Sequence, residues 1–343
     1  MLAGSSIAAL LASTLLTALV RRWAMLRGTL DVPNSRSSHI TATPRGGGLA
    51  IVLAASVALG MLALAGAIGA PLLWVLIGGG GVVALVGFAD DRRPIAAGAR
   101  LVVHLGAAVW AVFWLGGLPA IAVNQHVVQL GWTGDLLAVL ATVWVLNLFN
   151  FMDGIDGIAA SEAVFVTSAA LLPLTLCGVS GEVSAASVTV GAACLGFLPW
   201  NWPPAKTFMG DVGSGYLGYV IAALVLAAAQ QSPVIAWIWL ILGGVFFVDA
   251  TATLIRRVLR GERVYLAHRT HAYQWLARRW GSHRRVTVAV MLVNVLWLLP
   301  CALLATLRPG YAALTALAAL VPLVAVAIAA GAGRGERRGP VPS

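Results

Sequence analysis

Apolar runs of about twenty residues recur from one end of the chain to the other, and that feature alone leaves few folds open. A backbone in lipid has no water to pair with, so each crossing must satisfy its own N–H and C=O groups as a helix or within a closed barrel. Barrel strands alternate apolar and polar residues, whereas these runs are continuously apolar, which selects helices. Composition agrees, with 60% of the 343 residues apolar and only 10% charged. The expected fold is an all-α integral membrane protein of about 11 transmembrane helices. The spans fall near 3–20, 47–66, 71–88, 101–121, 136–152, 158–177, 184–199, 214–230, 234–254, 287–306 and 311–332.

Charge sets the orientation. With the N-terminus outside, the connections 21–46, 89–100, 152–158, 200–213 and 255–286 and the tail after 332 face the cytoplasm, and they hold all 22 Lys and Arg except Arg308. The C-terminus is then cytoplasmic, and the net charge of +10 needs no nucleic-acid partner to explain it. The connection 255–286 carries nine arginines and reads as a basic cytoplasmic loop held against anionic lipid. Cys177, Cys194 and Cys301 lie in apolar spans without metal or redox spacing and read as small hydrophobes. The first span has no basic residue before its apolar run and is followed by Arg21 and Arg22, the pattern of an uncleaved anchor. Without an internal repeat or a dividing linker, 1–343 reads as a single polytopic domain.

Acidic residues in such a chain are expensive and mark function. Asp90 and Asp91 form an adjacent pair beyond the third span, followed by Arg92 and Arg93. Two carboxylates repel each other unless a divalent cation, a proton or solvent intervenes. Asn147, Asn150, Asp153 and Asp156 follow at three-residue spacing, with Gly154 after Asp153 and Gly157 after Asp156, so on a helix each pair would share a face. Lys206 to Gly215 places Phe208, Gly210 and Asp211 in a glycine-rich turn before the eighth span, where backbone N–H groups suit phosphate oxygens and Asp211 suits Mg²⁺. His268, Arg269 and His271 lie in the basic connection; no third ligand at zinc spacing accompanies them, so phosphate contact is the expectation. Arg36 and His39, then Arg45 before a triple glycine, complete the set at the mouth of the second span.

Taken in order, these pieces resemble the polyprenyl-phosphate N-acetylhexosamine-1-phosphate transferases, the family that includes phospho-N-acetylmuramoyl-pentapeptide transferase. The resemblance spans about residues 30–275 and is carried by the double Asp, the Asn-x-x-Asn-x-x-Asp-Gly-x-Asp-Gly string, Phe-x-Gly-Asp-x-Gly-Ser and the late His-x-x-His. The forms of 34–48 and of His268 to Gln274 look like the branch that initiates O-antigen and capsule synthesis, as does an eleven-span chain with its N-terminus outside. The muramoyl branch has a run of histidines near the late motif, so a peptidoglycan precursor is not the expected substrate.

The resemblance implies transfer of N-acetylhexosamine-1-phosphate from a UDP-N-acetylhexosamine to undecaprenyl phosphate, releasing UMP, at the cytoplasmic face of a bacterial inner membrane. It implies Mg²⁺, with Mn²⁺ as a substitute, on Asp211 and Asp153. Asp90 would be base or nucleophile with Asp91 in support, and Asp153 and Asp156 would lie around nucleotide and metal. Asn147, Asn150, Gly210, His268, Arg269, His271, Arg36, His39, Arg45 and Arg92 would contact substrate, with Phe208 on uracil. Products would feed lipopolysaccharide or another cell-surface glycan, and the muramoyl branch suggests a homodimer. The rival class is a transporter with intramembrane carboxylates, which predicts acids near mid-span rather than at one face.

Overall fold

A computed structural model describes residues 2–31, 42–262 and 268–335. Its helices are α1 (Leu2–Arg27), α2 (Gly48–Leu64), α3 (Ala70–Asp90), α4 (Ala97–Leu115), α5 (Trp132–Met152), α6 (Ile158–Leu176), α7 (Gly181–Asn201), α8 (Asp211–Ala229), α9 (Ile235–Leu242), α10 (Gly244–Leu259), α11 (Ala272–Trp280), α12 (His283–Leu307) and α13 (Pro309–Ala330). Among the described residues nine helices are long and apolar enough to cross a membrane, and ten if α9 and α10 form one broken span. The fold is an all-α integral membrane protein, with two antiparallel hairpins, β1 (Leu30–Asp31) with β2 (Thr43–Pro44) and β3 (Ala120–Val123) with β4 (His126–Gln129).

Four expectations are corrected. The second apolar run makes a helix of only 17 residues. The span expected over 101–121 stops at Leu115, because Gly116 takes φ +83° and the chain turns into the β3–β4 hairpin. The ninth run bends by 78° at Gly243 and so forms two helices, with Asp249 inside α10. The basic connection 255–286 is largely helical, holding the end of α10, all of α11 and the start of α12.

Helix α8 is the hub. Its most apolar window is 94% buried, against 17% for α4, whose sides are left for lipid. Lipid is as apolar as leucine, so close backbone packing must hold such helices together. A Cβ on Gly48 of α2 would stand 2.4 Å from the Gly213 Cα of α8, and one on Gly87 of α3 would stand 2.4 Å from the Asp211 carbonyl oxygen. Small residues at these crossings bring α2 and α3 against the first turn of α8, where the acidic motifs end. Polar pins add to this: Asn294, in a π-helical stretch of α12, donates at 2.6 Å to the buried Glu162 of α6.

Candidate active site

The first turn of α8 is capped by a residue from another helix. Gly210 precedes it with φ +76°, and a Cβ there would lie 2.5 Å from Asp91 Oδ2, so both conformation and space require glycine. The Asp91 carboxylate accepts the Asp211 N–H at 2.9 Å and the Val212 N–H at 3.2 Å. A carboxylate satisfies orphan N–H groups and the helix dipole there. These are the N–H groups the sequence reserved for phosphate, and Asp91 already fills them.

Arginines lock this side. Residues 44–48 run beside 207–209, with Phe208 N–H donating to Pro44 O at 2.8 Å and Gly47 N–H to Phe208 O at 2.8 Å. That ladder holds Arg45 over the carboxylates, its Nε 2.9 Å from Asp91 and its Nη2 3.1 Å from Asp211 Oδ1. From the start of α4, Arg100 bonds Asp90 and stands 3.3 Å from Asp211 Oδ2. Asp90 also accepts the Ile95 N–H at 2.6 Å. Arg100 was not picked out from sequence; its signal is a lone arginine ten residues after Asp90, at a helix start.

Across the mouth, Asp153 ends α5 and differs in kind. None of the described residues donates a hydrogen bond to its carboxylate. Burial first, then the negative charges of Asp211 and Asp91, push its carboxyl well above the usual carboxylate range, with Arg45 opposing. Asp153 and Asp156 do not share a helix face, because α5 ends at Met152 and the chain turns at Gly157, φ +76°. Asp156 points elsewhere: it accepts the Ala205 N–H at 3.1 Å and lies 3.2 Å from His283 Nδ1. It therefore ties the loop between α5 and α6 to α12 rather than facing Asp211.

The remaining expected residues divide. Asn150 donates to Ser214 of α8 at 3.1 Å and so lies at the mouth, whereas the Asn147 amide is spent on Val143 O of its own helix at 2.7 Å. Phe208 is half-buried beside Gly210. Arg92 leaves the carboxylates and stacks on Phe88 at 3.5 Å, with Trp23 at 5.1 Å. It still lines, with Arg45, Asp91 and Asp31, a polar cavity of about 410 Å³. Tyr273 of α11, not anticipated, donates to Phe151 O at 2.9 Å and brings the late histidines to Asp153's loop. Arg269 offers its carbonyl to Arg278 at 3.1 Å, and the His271 ring is 3% exposed beneath His268. Arg36 and His39 lie outside the described residues.

The donor set at the mouth is carboxylate oxygen, the chemistry of hard divalent cations. Among the described residues no three carboxylate, thiol or imidazole groups converge as a ready-made metal cage. Mg²⁺ rarely uses one, taking one or two carboxylates and leaving the rest of its shell to water and phosphate. Asp153, to which none of the described residues donates and which feels the charge of Asp211, fits that demand. Elsewhere in the bundle, α5, α8 and the broken α9–α10 line an apolar cavity of about 370 Å³, with Leu148, Phe149, Val225 and Phe247 among its walls.

Fold and mouth together define a class: a multi-pass membrane protein with aspartates and arginines gathered at one end of its bundle. The profile of glycosyl transferase family 4 matches residues 73–229. A probable undecaprenyl-phosphate N-acetylglucosaminyl 1-phosphate transferase of Bacillus subtilis is 32% identical over 85% of this chain and 81% of its own. A decaprenyl-phosphate N-acetylglucosaminephosphotransferase of Mycobacterium tuberculosis is 31% identical over 80% and 75%. A phospho-N-acetylmuramoyl-pentapeptide-transferase of Pelotomaculum thermopropionicum is 30% identical over 81% and 89%. The chain belongs to this family of polyprenyl-phosphate hexosamine-1-phosphate transferases, and its relatives are phosphotransferases of bacterial membranes.

Proposed function

We propose that the protein transfers N-acetylhexosamine-1-phosphate, with N-acetylglucosamine as the leading sugar, from a UDP-sugar to undecaprenyl phosphate at the cytoplasmic face of the bacterial inner membrane. The observation that carries this is the mouth of α8, where four aspartates meet two arginines and one carboxylate, that of Asp153, receives no hydrogen bond from the described residues. The gathering of Asp90, Asp91, Asp153 and Asp211 at one end of the bundle favours an enzyme over a transporter, which needs its carboxylates along the path.

An oxygen of the lipid phosphate attacks the sugar-bearing phosphorus, the bond from that phosphorus to the oxygen of the α-phosphate breaks, and UMP leaves with the electron pair. Charge builds on the phosphoryl oxygens and on UMP, so catalysis here is positioning plus positive charge. Mg²⁺ held by Asp211 and Asp153 would neutralise phosphate oxygens. Arg45 and Arg100 hold Asp211 in place and add two positive charges. Asp90 has both oxygens engaged, by Ile95 and Arg100, which supports direct attack by the lipid rather than a phospho-aspartate. A lipid phosphate with its second pKa near about 6 is already largely dianionic, so the base contributes modestly. The apolar cavity beside α8 suits the prenyl chain.

N-acetylglucosamine leads because two of the relatives named above carry it and cover 80% or more of this chain. None of the three relatives named above carries O-antigen or capsule in its name, so the product is proposed as the first lipid-linked sugar of a cell-surface glycan. Purified protein offered a panel of UDP-N-acetylhexosamines with undecaprenyl phosphate tests this. The expected result is one preferred donor, a lipid diphosphate-sugar product and loss of turnover in EDTA. Failure of folded protein to release UMP from any donor would refute the proposal.

A further inference from the structure

The two histidines of the late motif are not equivalent. Their rings stack with centroids 4.9 Å apart, but His268 is half-buried whereas His271 is enclosed. His268 Nδ1 lies 3.1 Å from the Thr270 hydroxyl and 3.5 Å from the Thr270 backbone N–H. A backbone N–H only donates, so this nitrogen is the acceptor of the ring and the proton of the neutral imidazole sits on Nε2. The outer ring thus presents one N–H donor, which suits an anionic oxygen.

The inner ring rests on a carboxylate that no motif includes. His271 Nδ1 is 3.4 Å from Asp249 Oδ1, and Phe151 and Tyr273 flank the ring with centroids 6.3 and 5.7 Å away. Asp249, 4% exposed within α10, also accepts the N–H groups of Ala272 at 2.8 Å and Tyr273 at 3.0 Å, and the Thr253 hydroxyl at 3.1 Å. One buried carboxylate therefore fixes the start of α11, and the ring just before it packs against that carboxylate at 3.4 Å without a hydrogen bond from Nδ1.

We infer that Asp249 is a positioning residue which, through His271, sets the height and plane of the His268 ring, whose Nε2–H is offered to a diphosphate oxygen of the nucleotide. His271 is then support and not a ligand contact. The inference rests on the proposed reaction only for the identity of the anion.

The test is UDP affinity by calorimetry, with transfer measured in parallel, on the full chain in detergent. A glutamine side chain places its N–H near where imidazole Nε2 does, and asparagine near Nδ1. His268→Gln is expected within about fivefold of wild type, and His268→Asn and His268→Ala are expected to lose roughly 100-fold. Asp249→Asn is expected to lose a comparable factor alone but under about threefold in the His268→Ala background. Should Asp249→Asn fail to fold, His271→Phe keeps a stacked ring without the Asp249 contact and is expected to weaken UDP by about tenfold. Equal losses for His268→Gln and His268→Asn, fully additive losses for Asp249 and His268, or wild-type affinity in His271→Phe would overturn the inference. Wild-type protein that binds UDP but transfers no sugar would refute the reaction and leave this assignment standing.

Discussion

The two walls of the mouth treat their carboxylates in opposite ways. On the α3–α4 wall, Asp90 and Asp91 are fully engaged, by Arg45, Arg100 and backbone N–H groups. On the α5 wall, Asp153 accepts no hydrogen bond from the described residues and sits against the charge of its neighbours. A satisfied carboxylate is a framework, while one kept short of partners is held ready for a cation or substrate. The difference divides one acidic cluster into a scaffold and a working edge.

Variants break this comparison in order of size. Asp153→Asn removes the open carboxylate and should lower transfer by about 1,000-fold or more without loss of folding, since none of the described residues donates a hydrogen bond to it. Its turnover in a Mg²⁺ titration, with circular dichroism as the folding check, tests this; near-normal turnover would place the working edge elsewhere. Arg100→Ala strips a cation from Asp90 and Asp211 and should cost about 100-fold in kcat. Arg100→Lys should recover part of that, which steady-state kinetics would show.

Gly210→Ala probes the scaffold alone. Its φ of +76° and the Asp91 oxygen 2.5 Å from the added Cβ predict a loss of about 1–3 kcal/mol, read as a lowered thermal midpoint in detergent. The smallest effect lies away from the mouth. Arg257, through a side-chain hydrogen bond, and Arg260 hold the Glu262 carboxyl below its ordinary value of 4.5. A depressed folded-state pKa means the pair stabilises above about 4.5 and loses that contribution as pH falls through the lower value. Because Glu262 is largely solvated, Glu262→Gln should cost at most about 0.5 kcal/mol at neutral pH and narrow the acid limb of stability only slightly.

Most of the bundle was legible because continuous apolarity is a local signal. The helices α3, α5, α6, α7, α8, α12 and α13 fall within a few residues of the runs that announced them, while α1 runs seven residues past its own. Breaks were harder, since Gly243 resembles any other glycine in an apolar run until α9 and α10 are seen to bend around it. At the mouth the sequence supplied the residue types but not their directions. Asp156 lay in the motif but turns to His283, and Arg92 followed the double Asp but stacks on Phe88. Arg100, Asp249 and Tyr273 gain meaning only from partners 10 to 122 residues away, a separation no local pattern encodes.

The measurement that most directly tests the account is UMP release from UDP-N-acetylglucosamine by the reconstituted protein, with and without undecaprenyl phosphate, compared with Asp211→Asn and Asp153→Asn. The account predicts release that requires the lipid and Mg²⁺ and falls at least about 1,000-fold in both variants. Lipid-independent release, or full activity in either variant, would contradict it.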